Sequence, residues 1–443
     1  MKTARQLVFD LLLRVWKEDA YSNLAFSQAV TRESLSKEET SFAAALFYGV
    51  LERGITLDHA IAPFLKKGVR SLDPEVRIIL RMGVYQLCFL DGVPDSAAVN
   101  ESVKLTAYCK KKSAGGLVNA LLRNVIRSGK ALHLPENPKT PAEISLAYSC
   151  PEWLVHMWSS QYGEEQAKQI AAASLGRPPI AIRVNTLKMT AEELATRLTG
   201  RGLLVRKHEW LEDCLLLSET GGVDALPEFQ EGLFHVQDVS SQICAAALGA
   251  RPGEHVLDCC AAPGSKSFTV AQWMENQGSL LSCDLYGQRC RLIETGARRL
   301  GISIIETAER DATKPVEGEA YDRILCDVPC SGLGVIRRKP EIKEKPPEQF
   351  DALPPIQFAI LHAAAQCLKP GGRLIYSTCT LNRKENEKVV SRFLEENNSM
   401  KPLQLSRIFD RIGDMNALGT TFFPGDWEGD GFYIAAMEKV KSV

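Results

Sequence analysis

The sequence lacks the patterns that mark several large classes of protein. It has no CxxC pair and no Cys/His cluster with zinc-finger spacing, so its 13 cysteines predict no structural zinc site. Their number is odd and they are scattered over 443 residues, which argues against a disulfide framework. We therefore expect most of these thiols to be small buried side chains.

Long apolar runs are also missing. No stretch approaches the roughly 18 residues that a membrane-spanning helix needs. The first residues lead into an amphipathic helical pattern without the apolar core and small-residue cleavage site of a secretion signal. With 45% hydrophobic and 24% charged residues, the composition is that of a globular protein. We expect a cytoplasmic location and no membrane contact.

Length and charge distribution indicate more than one domain. A chain of 443 residues exceeds one ordinary domain, and its net charge of −1 conceals an asymmetry. Residues 1–130 carry 19 Lys and Arg against 13 Asp and Glu. A mildly basic segment suits contact with phosphate groups, and an ordinary solvated surface explains it equally well.

Hydrophobic periodicity divides the chain into three parts and a linker. Residues 1–132 are predicted to be almost entirely helical, and the proline-containing residues 133–150 are predicted to be a linker. Residues 151–234 show the mixed pattern of a small α+β module. In residues 235–443 strands alternate with helices, which predicts a doubly wound α/β sheet.

Six strands are predicted in this last part, from short apolar runs bounded by turn residues. They lie near residues 255–259, 279–283, 303–307, 322–327, 372–378 and 432–437. This number suits a seven-stranded sheet whose last strands form an antiparallel edge.

Two cysteines directly follow predicted strands of this sheet. The apolar run Ile324-Leu325-Cys326 enters the segment Asp327-Val328-Pro329-Cys330-Ser331-Gly332, and Ser377-Thr378-Cys379 ends the strand that begins near Arg373. Ligands of open α/β sheets bind outside the carboxyl ends of the strands, so we expect a carboxylate and two thiols at one site. A lone cysteine at a strand end is usually structural. The matching Asp-x-Pro and Ser-Thr contexts favour a function for both.

A second candidate site joins the first strand of the sheet to its helix. The segment Asp258-Cys259-Cys260-Ala261-Ala262-Pro263-Gly264-Ser265-Lys266-Ser267 is rich in small residues, which let a ligand approach the backbone and the free N–H groups of the helix start. It is neither GxGxxG nor GxxxxGK[ST], which disfavours a nicotinamide dehydrogenase and a phosphate-binding NTPase.

Acidic residues follow the next two strands. Asp284 comes after the second strand, where a carboxylate suits the hydroxyls of a ribose, and Asp311 follows the third, where it suits an adenine amino group. Each acid taken alone is more often a turn or cap residue. Asp258, Asp284 and Asp311 at three successive strand ends together indicate a nucleoside site.

Two parts of the chain carry a family resemblance. The segments that resemble the NusB-type helical RNA-binding domain are Leu72-Asp73-Pro74, residues 79–87, residues 97–101 and residues 117–124. The cofactor loop 258–267 and the segments 327–332 and 377–380 resemble the RNA 5-methylcytosine methyltransferases that use S-adenosylmethionine. The whole chain is therefore similar to the NusB-domain-containing members of that family, which implies a Rossmann-like class I methyltransferase domain. One difference is Ser265, where the family more often has glycine.

The resemblance implies a role for each motif. Cys379 is expected to be the nucleophile, Cys330 to assist proton removal or product release, and Asp327 to hydrogen-bond the base with Lys266 nearby. The residues expected to hold S-adenosylmethionine are Asp258, Cys260, Ala261, Ala262, Pro263, Gly264, Ser265, Lys266, Asp284, Asp311 and Asp327. Arg183, Asn185, Arg337 and Arg338 are candidate RNA contacts, although turn or surface roles would explain them too.

The resemblance also implies the reaction. We expect methyl transfer to carbon 5 of one cytosine in small-subunit (16S) ribosomal RNA, through a covalent bond between a cysteine and carbon 6. Sulfur is the nucleophile, so no metal is implied, and no obligate protein partner is implied either. The alternatives are methylation of transfer RNA or of another ribosomal site, and a non-catalytic RNA-binding factor in ribosome assembly.

Overall fold

The computed structural model of this chain describes residues 2–18, 22–33, 35–218, 222–318, 320–405, 414–425 and 427–441. The chain divides into two compact units. One comprises Met1–Arg177 with Ile336–Pro346, and the other comprises Pro178–Val335 with Pro347–Val443. Within the described ranges, no helix has both the length and the apolar character needed to cross a membrane.

The first unit is helical. Its α-helices are α1 (Ala4–Glu18), α2 (Ser22–Glu33), α3 (Lys37–Glu52), α4 (Gly54–Ile61), α5 (Pro74–Phe89), α6 (Asp95–Tyr108), α7 (Gly115–Arg127), α8 (Pro141–Tyr148), α9 (Glu152–Tyr162) and α10 (Glu164–Ala173). Short 3₁₀ helices at Ala62–Phe64, Val69–Ser71, Lys112–Ala114 and Pro340–Glu344 complete it.

Local signals in the sequence set the limits of several of these helices. Leu7 and Leu11 lie on the buried face of α1, at the spacing that one face of a helix requires. Ser36 and Glu39 form a reciprocal capping box at the start of α3. Pro74 occupies the first turn of α5, where its missing N–H costs nothing. These predicted helices are confirmed.

The predicted linker, residues 133–150, contains a helix. Thr140 accepts a hydrogen bond from the backbone of Glu143, and the Glu143 side chain bonds back to Thr140, so a capping box begins α8. Prolines favour a loop in many contexts, but Pro141 lies at the first helical position, where a proline favours a helix start. Helices α8, α9 and α10 lie within the first unit. The domain limits drawn from the sequence stay predictions.

Segment 336–346 also belongs to the first unit, although it follows the Cys330 loop in the chain. The buried Glu341 carboxylate accepts hydrogen bonds from the backbone N–H (3.1 Å) and hydroxyl (2.7 Å) of Ser22, the first residue of α2. A carboxylate at this helix end satisfies otherwise unpaired N–H groups. Lys343 donates to the carbonyl oxygen of Glu52 at 3.2 Å. Polar anchors therefore fix the segment within the helical unit.

The second unit begins with a four-stranded antiparallel sheet. Its elements are β1 (Ile180–Val184), α11 (Ala191–Gly200), β2 (Leu204–Lys207), β3 (Cys214–Ser218), α12 (Pro227–Gln230) and β4 (Phe234–Val236), with a 3₁₀ helix at Val223–Ala225. The strand order is β2-β3-β1-β4. The small α+β module predicted from the sequence has this antiparallel core.

The larger sheet follows. Its elements are α13 (Val239–Leu248), β5 (His255–Asp258), α14 (Ser265–Trp273), β6 (Ser279–Asp284), α15 (Gly287–Leu300), β7 (Ile305–Glu309), β8 (Tyr321–Asp327), a 3₁₀ helix (Pro347–Phe350), α16 (Leu353–Cys367), β9 (Leu368–Thr378), α17 (Glu387–Glu396), β10 (Met400–Pro402), β11 (Asp414–Asn416), β12 (Gly419–Phe422) and β13 (Phe432–Lys439). The strand order is β11-β12-β13-β9-β8-β5-β6-β7, and β10 also pairs with β13.

All six predicted strands of this sheet are present. The described residues form nine strands rather than seven, because β10, β11 and β12 have three or four residues each and carry no clear alternating pattern. Strand β13 pairs antiparallel with β9, as predicted for the edge. The direction of strand addition reverses between β5 and β8, the position at which open α/β sheets bind their ligands.

Alternating side chains of the central strands bury both faces of the larger sheet. Val256 of β5 and Leu325 of β8 belong to one apolar cluster, together with residues of α13, α14 and α15. Leu257 and Ile324, one position away, belong to a second cluster with α16 and α17. This two-residue period places helices on both faces and confirms the doubly wound architecture.

Candidate active site

The carboxyl ends of β5, β8 and β9 bring the motif residues to one edge of the sheet. Strands β5 and β8 are parallel, with Asp258 opposite Leu325, and β8 and β9 are parallel, with Asp327 opposite Ser377. The loops that follow β8 and β9 therefore leave side by side. Each carries a cysteine two or three residues beyond the last paired position.

The two loop thiols lie against each other. The sulfur atoms of Cys330 and Cys379 are 3.1 Å apart, and both side chains are half-buried and free of disulfide bonds. The neighbouring Cys379 sulfur and burial raise the pKa of Cys330 well above its ordinary value. Cys330 is therefore a neutral thiol at neutral pH, and it can share a hydrogen bond with its neighbour.

An ion pair lies at the same edge. The Lys266 ammonium is 2.6 Å from Oδ2 of Asp327 and also donates to the Ser241 hydroxyl at 3.2 Å. The Ser377 hydroxyl donates to Oδ1 of Asp327 at 2.8 Å. Burial alone lowers the pKa of Lys266, but the Asp327 charge outweighs it, and the pKa is raised. Lys266 is therefore charged at neutral pH.

Gly264 makes the turn at the start of α14 possible. Its φ is 107°, and a Cβ at this position would lie 2.5 Å from the Phe268 ring. Ser265 follows as the first residue of α14 and is not among the residues with positive φ. Serine in place of the family's glycine is therefore compatible with the loop, because the left-handed position falls on Gly264.

Asp258 is a buried carboxylate with one oxygen unpaired. Its Oδ2 accepts a hydrogen bond from the Ser267 hydroxyl at 2.7 Å, and the Ser282 hydroxyl donates to Ser267 at 2.9 Å. Oδ1 is buried without a partner. Burial raises the pKa of Asp258 to about 7. Buried acceptors are normally hydrogen-bonded, and a donor group of a ligand could satisfy this one. The position therefore fits a cofactor that carries an ammonium or hydroxyl group.

The other two acids occupy different surroundings. Asp284 is buried at the end of β6 and accepts hydrogen bonds from the Tyr286 N–H and the Arg289 guanidinium, both at 3.2 Å. Asp311 lies two residues beyond β7, where its Oδ1 accepts from the N–H (3.0 Å) and hydroxyl (2.6 Å) of Thr313. The Thr313 hydroxyl and N–H lower the pKa of Asp311. Asp311 is therefore ionised at neutral pH.

Two of the candidate RNA contacts are buried. Arg183 is 4% exposed and pairs with Asp213 at 2.9 Å. Asn185 is 0% exposed and donates to the carbonyl oxygens of Gly232 and Leu300, both at 2.8 Å. This burial argues against the predicted RNA contacts and indicates a packing role, because side chains paired inside the unit cannot reach a phosphate. Arg337 and Arg338 are half-buried in segment 336–346.

Glu385 is a buried carboxylate beside the two thiols that the sequence pattern did not predict. It is 0% exposed and lies outside any strand or helix, in the turn that leads from Cys379 to α17. It accepts hydrogen bonds from Ser331, Gln357 and Asn382. The available signal was the run of polar residues 382–386 directly after the Thr-Cys motif. Polar runs usually indicate an exposed loop, so burial could not be predicted from it.

Metal ligands are not clustered in the part of the chain that the structure describes. No group of three or more His, Cys, Asp or Glu side chains is arranged there to hold an ion. The groups that the described residues bring to the carboxyl edge of the sheet are the two thiols, the Asp327–Lys266 pair and the buried acids.

Removing the Lys266 charge should destabilise the fold. We expect Lys266→Met to lower the free energy of unfolding by about 2–4 kcal/mol, because it leaves the Asp327 carboxylate without its cation. Urea denaturation at neutral pH measures this change. The double variant Lys266→Met/Asp327→Asn is the control, and it should recover more than half of the loss. Equal losses in the single and double variants would contradict a charge effect.

Asp258 should make stability depend on pH. Its pKa in the folded state, about 7, is above the unfolded value, so the folded state binds the proton more tightly. The resulting stabilisation is present at low pH and is lost as the pH rises through about 7. Between about pH 5 and pH 8, the free energy of unfolding should fall by about 2–3 kcal/mol more in the wild-type protein than in Asp258→Asn. Parallel profiles would contradict this assignment.

The ligand edge of the sheet lies where the strand order reverses, and it carries successive acids suited to a nucleoside and a pair of thiols. This arrangement is expected of an S-adenosylmethionine-dependent methyltransferase. Family models agree with that class. Residues 245–438 match the model described as 16S rRNA methyltransferase RsmB/F, residues 2–127 match the NusB family, and residues 150–224 match the ferredoxin-like domain of RsmF/B-like methyltransferases.

Individual relatives give the same result. The chain is 37% identical to the probable ribosomal RNA small subunit methyltransferase B of Bacillus subtilis, with 99% of each chain covered. It is 32% identical to the ribosomal RNA small subunit methyltransferase B of Vibrio cholerae, covering 95% of this chain and 94% of the relative. The chain belongs to the ribosomal RNA small subunit methyltransferase B family.

Solved structures are also similar. The crystal structure of PH0851 covers 99% of this chain and 98% of its own, with a TM-score of 0.83 and 26% sequence identity. The structure of NSun6 from Pyrococcus horikoshii with SFG covers 66% of this chain and 99% of its own, with a TM-score of 0.61 and 25% identity.

Proposed function

We propose that this chain transfers a methyl group from S-adenosylmethionine to carbon 5 of one cytosine in 16S ribosomal RNA. The observation that carries the proposal is the pair of thiols, Cys330 and Cys379, 3.1 Å apart beside the Asp327–Lys266 ion pair. The names of the relatives support the ribosomal substrate. We propose that the protein acts in the cytoplasm, with residues 1–132 contributing an RNA-binding surface and no protein partner required.

The residues at the carboxyl edge fit S-adenosylmethionine. The unpaired buried oxygen of Asp258 can accept from an ammonium group, Asp284 can accept from ribose hydroxyls, and Asp311 from an adenine amino group. Other proposed cofactor contacts are Cys260, Ala261, Ala262, Pro263, Gly264, Ser265, Lys266 and Asp327. The relative NSun6, solved with the S-adenosylmethionine analogue SFG, supports this assignment. When bound, the cofactor supplies an electrophilic methyl group.

Cys379 is the proposed nucleophile. Carbon 5 of cytosine is a weak nucleophile, and addition of a thiolate to carbon 6 makes it reactive, because the ring electrons move towards carbon 5. The sulfur–carbon 6 bond forms first and breaks after methylation, when the carbon 5 proton leaves. The raised pKa of Cys330 keeps that thiol protonated at neutral pH, and a protonated thiol is a poorer attacking group than a thiolate.

Cys330 is proposed to act in the later steps. Its pKa is raised first of all by the neighbouring Cys379 sulfur. Once Cys379 is bonded to carbon, that sulfur carries no charge, and the Cys330 thiol becomes more acidic. It can then assist removal of the carbon 5 proton or release of the product. This timing fits a residue that is neutral during attack and active afterwards.

Asp327 and Lys266 are proposed to bind the target base. The Asp327 carboxylate can accept hydrogen bonds from the cytosine amino group and from a protonated ring nitrogen, which stabilises the base as negative charge develops during attack. Lys266, which donates a hydrogen bond to it at 2.6 Å, orients this carboxylate. Arg337 and Arg338, on the segment that follows the Cys330 loop, are proposed to contact RNA phosphates.

Methyl transfer to isolated RNA tests the proposed reaction. Labelled S-adenosylmethionine is incubated with protein-free small-subunit ribosomal RNA and, in parallel, with transfer RNA, and the product is mapped by bisulfite sequencing. Label at a single cytosine of the ribosomal RNA is the expected result, and Cys379→Ala is the matched control without label. Label on transfer RNA alone would overturn the proposed substrate. Cofactor binding without label on either RNA or on a pre-ribosomal particle would favour a non-catalytic assembly factor.

A further inference from the structure

The buried Glu385 carboxylate joins the two cysteine loops. It accepts hydrogen bonds from the Ser331 N–H at 2.9 Å and the Ser331 hydroxyl at 2.6 Å. Ser331 is the residue next to Cys330 in the chain. The Ser331 hydroxyl is also 2.7 Å from the hydroxyl of Thr380, the residue next to Cys379. The Glu385 carboxylate thus holds Ser331 directly, and it holds Thr380 through the Ser331 hydroxyl.

Further amides complete the surroundings of Glu385. The Gln357 amide donates to its Oε2 at 3.0 Å and to the Pro329 carbonyl oxygen at 2.9 Å, so it holds the residue on the other side of Cys330. The Asn382 amide donates to Oε1 at 3.0 Å. The Tyr376 hydroxyl donates to the Glu385 carbonyl oxygen at 2.5 Å. Backbone and side chain are therefore both fixed.

Three of the four groups that bind the Glu385 side chain require an acceptor. The Ser331 N–H and the two amide NH₂ groups can only donate, and an ionised carboxylate offers acceptor sites on both of its oxygens. A glutamine at this position has the same shape but presents one NH₂ group, which would face another donor. The contacts therefore demand the carboxylate and its charge, and not merely a side chain of this size.

We propose that Glu385 is a positioning residue that holds Cys330 against Cys379 and thereby makes Cys379 the more reactive of the two thiols. This inference rests on the proposed function, in which Cys379 attacks the base. The electrostatics are consistent with it: the Cys379 contact and burial raise the pKa of Cys330 most, and the negative charge of Glu385 raises it further. Glu385 touches neither base nor cofactor in this scheme.

Thiol alkylation of the free protein tests this role without RNA or cofactor. Wild-type protein and Glu385→Gln are treated with iodoacetamide between about pH 6 and pH 9, and peptide mass spectrometry gives a rate for each cysteine. In the wild type, Cys379 should react about tenfold faster than Cys330 at neutral pH. In Glu385→Gln, that preference should fall by about tenfold, and the pH midpoint of Cys330 should move down. Methylation kcat should fall while S-adenosylmethionine affinity is retained.

Two further variants make the test specific. Glu387→Gln is the matched control, because it neutralises another buried carboxylate two residues away, which contacts Thr421 and Arg383. It should keep the wild-type preference. Ser331→Ala removes one of the donors and should lower the preference for Cys379 about threefold. This variant provides the test if Glu385→Gln does not fold.

The alkylation rates also separate this inference from the proposed function. A folded Glu385→Gln with wild-type alkylation rates and pH midpoints would overturn the role of Glu385, as would an equal change in Glu387→Gln. If the wild-type protein shows the expected alkylation preference but does not methylate rRNA, the result counts against the proposed reaction. The positioning role of Glu385 would still be supported.

Discussion

Cys379→Ala should abolish methyl transfer, with a loss of roughly 10³–10⁶-fold in kcat. Without the sulfur, carbon 6 of the cytosine has no nucleophile, and carbon 5 is too weak to take the methyl group. S-adenosylmethionine affinity should be unchanged within about twofold, since the thiol is not among the residues proposed to hold the cofactor. The measurement is transfer of labelled methyl groups to the RNA, with cofactor affinity measured by calorimetry.

The control for this prediction is Cys109→Ala. Cys109 is a half-buried free cysteine of the helical unit, where its thiol donates to the Thr106 carbonyl oxygen at 3.5 Å. Its removal should leave methyl transfer unchanged. Substantial activity in Cys379→Ala would contradict its role as nucleophile, and a loss of activity in both variants would indicate a general effect on the fold.

Cys330→Ala should trap a covalent complex between protein and RNA. The attack by Cys379 and the methylation proceed in this variant, but removal of the carbon 5 proton or release of the product is slowed. We expect more than about half of the protein to migrate as an RNA adduct on denaturing gels, with turnover reduced roughly 10²–10⁴-fold, the usual contribution of acid–base assistance. The adduct should require both RNA and S-adenosylmethionine.

The double variant Cys330→Ala/Cys379→Ala is the control for trapping, and it should form no adduct. The opposite pattern, with an adduct in Cys379→Ala that disappears in Cys330→Ala, would reverse the roles of the two thiols. The 3.1 Å separation of the sulfur atoms makes this comparison necessary, because both can reach the same base.

The sequence predicted the edge at which the chemistry lies because strand ends are local features. The apolar run before Asp327 and the strand before Cys379 are continuous in the chain, and parallel strands bring their carboxyl ends together whatever the details of packing. The distance between Cys330 and Cys379 depends instead on the pairing of β8 with β9, which no single segment encodes.

The inward direction of polar side chains could not be predicted in the same way. Arg183 lies on β1, where alternation allows either face, and its burial depends on Asp213 and Gln272 from other elements. Glu385 has a polar neighbourhood in sequence and is buried only because Ser331 and Gln357 come from distant parts of the chain. Such contacts arise from tertiary packing.

The effect of a proline or a glycine on the backbone depends on its neighbours in the chain. Pro141 indicated a loop, although Thr140 and Glu143 around it form a capping box and begin α8. Ser265 lacks the freedom of glycine to adopt a positive φ, but the positive φ of this turn falls on Gly264. Segment 336–346 gave no sequence signal for its place in the helical unit, because anchors such as Glu341 bind a partner more than 300 residues away.

Identifying the atom that bonds to the RNA tests the proposed mechanism most directly. The wild-type protein is incubated with S-adenosylmethionine and small-subunit ribosomal RNA containing 5-fluorocytidine, in which fluorine replaces the proton that must leave carbon 5. We expect a stable adduct, and peptide mass spectrometry should place a methylated fluorocytosine on Cys379. An adduct through Cys330, or no adduct on an RNA that is methylated in its unsubstituted form, would contradict the proposed mechanism.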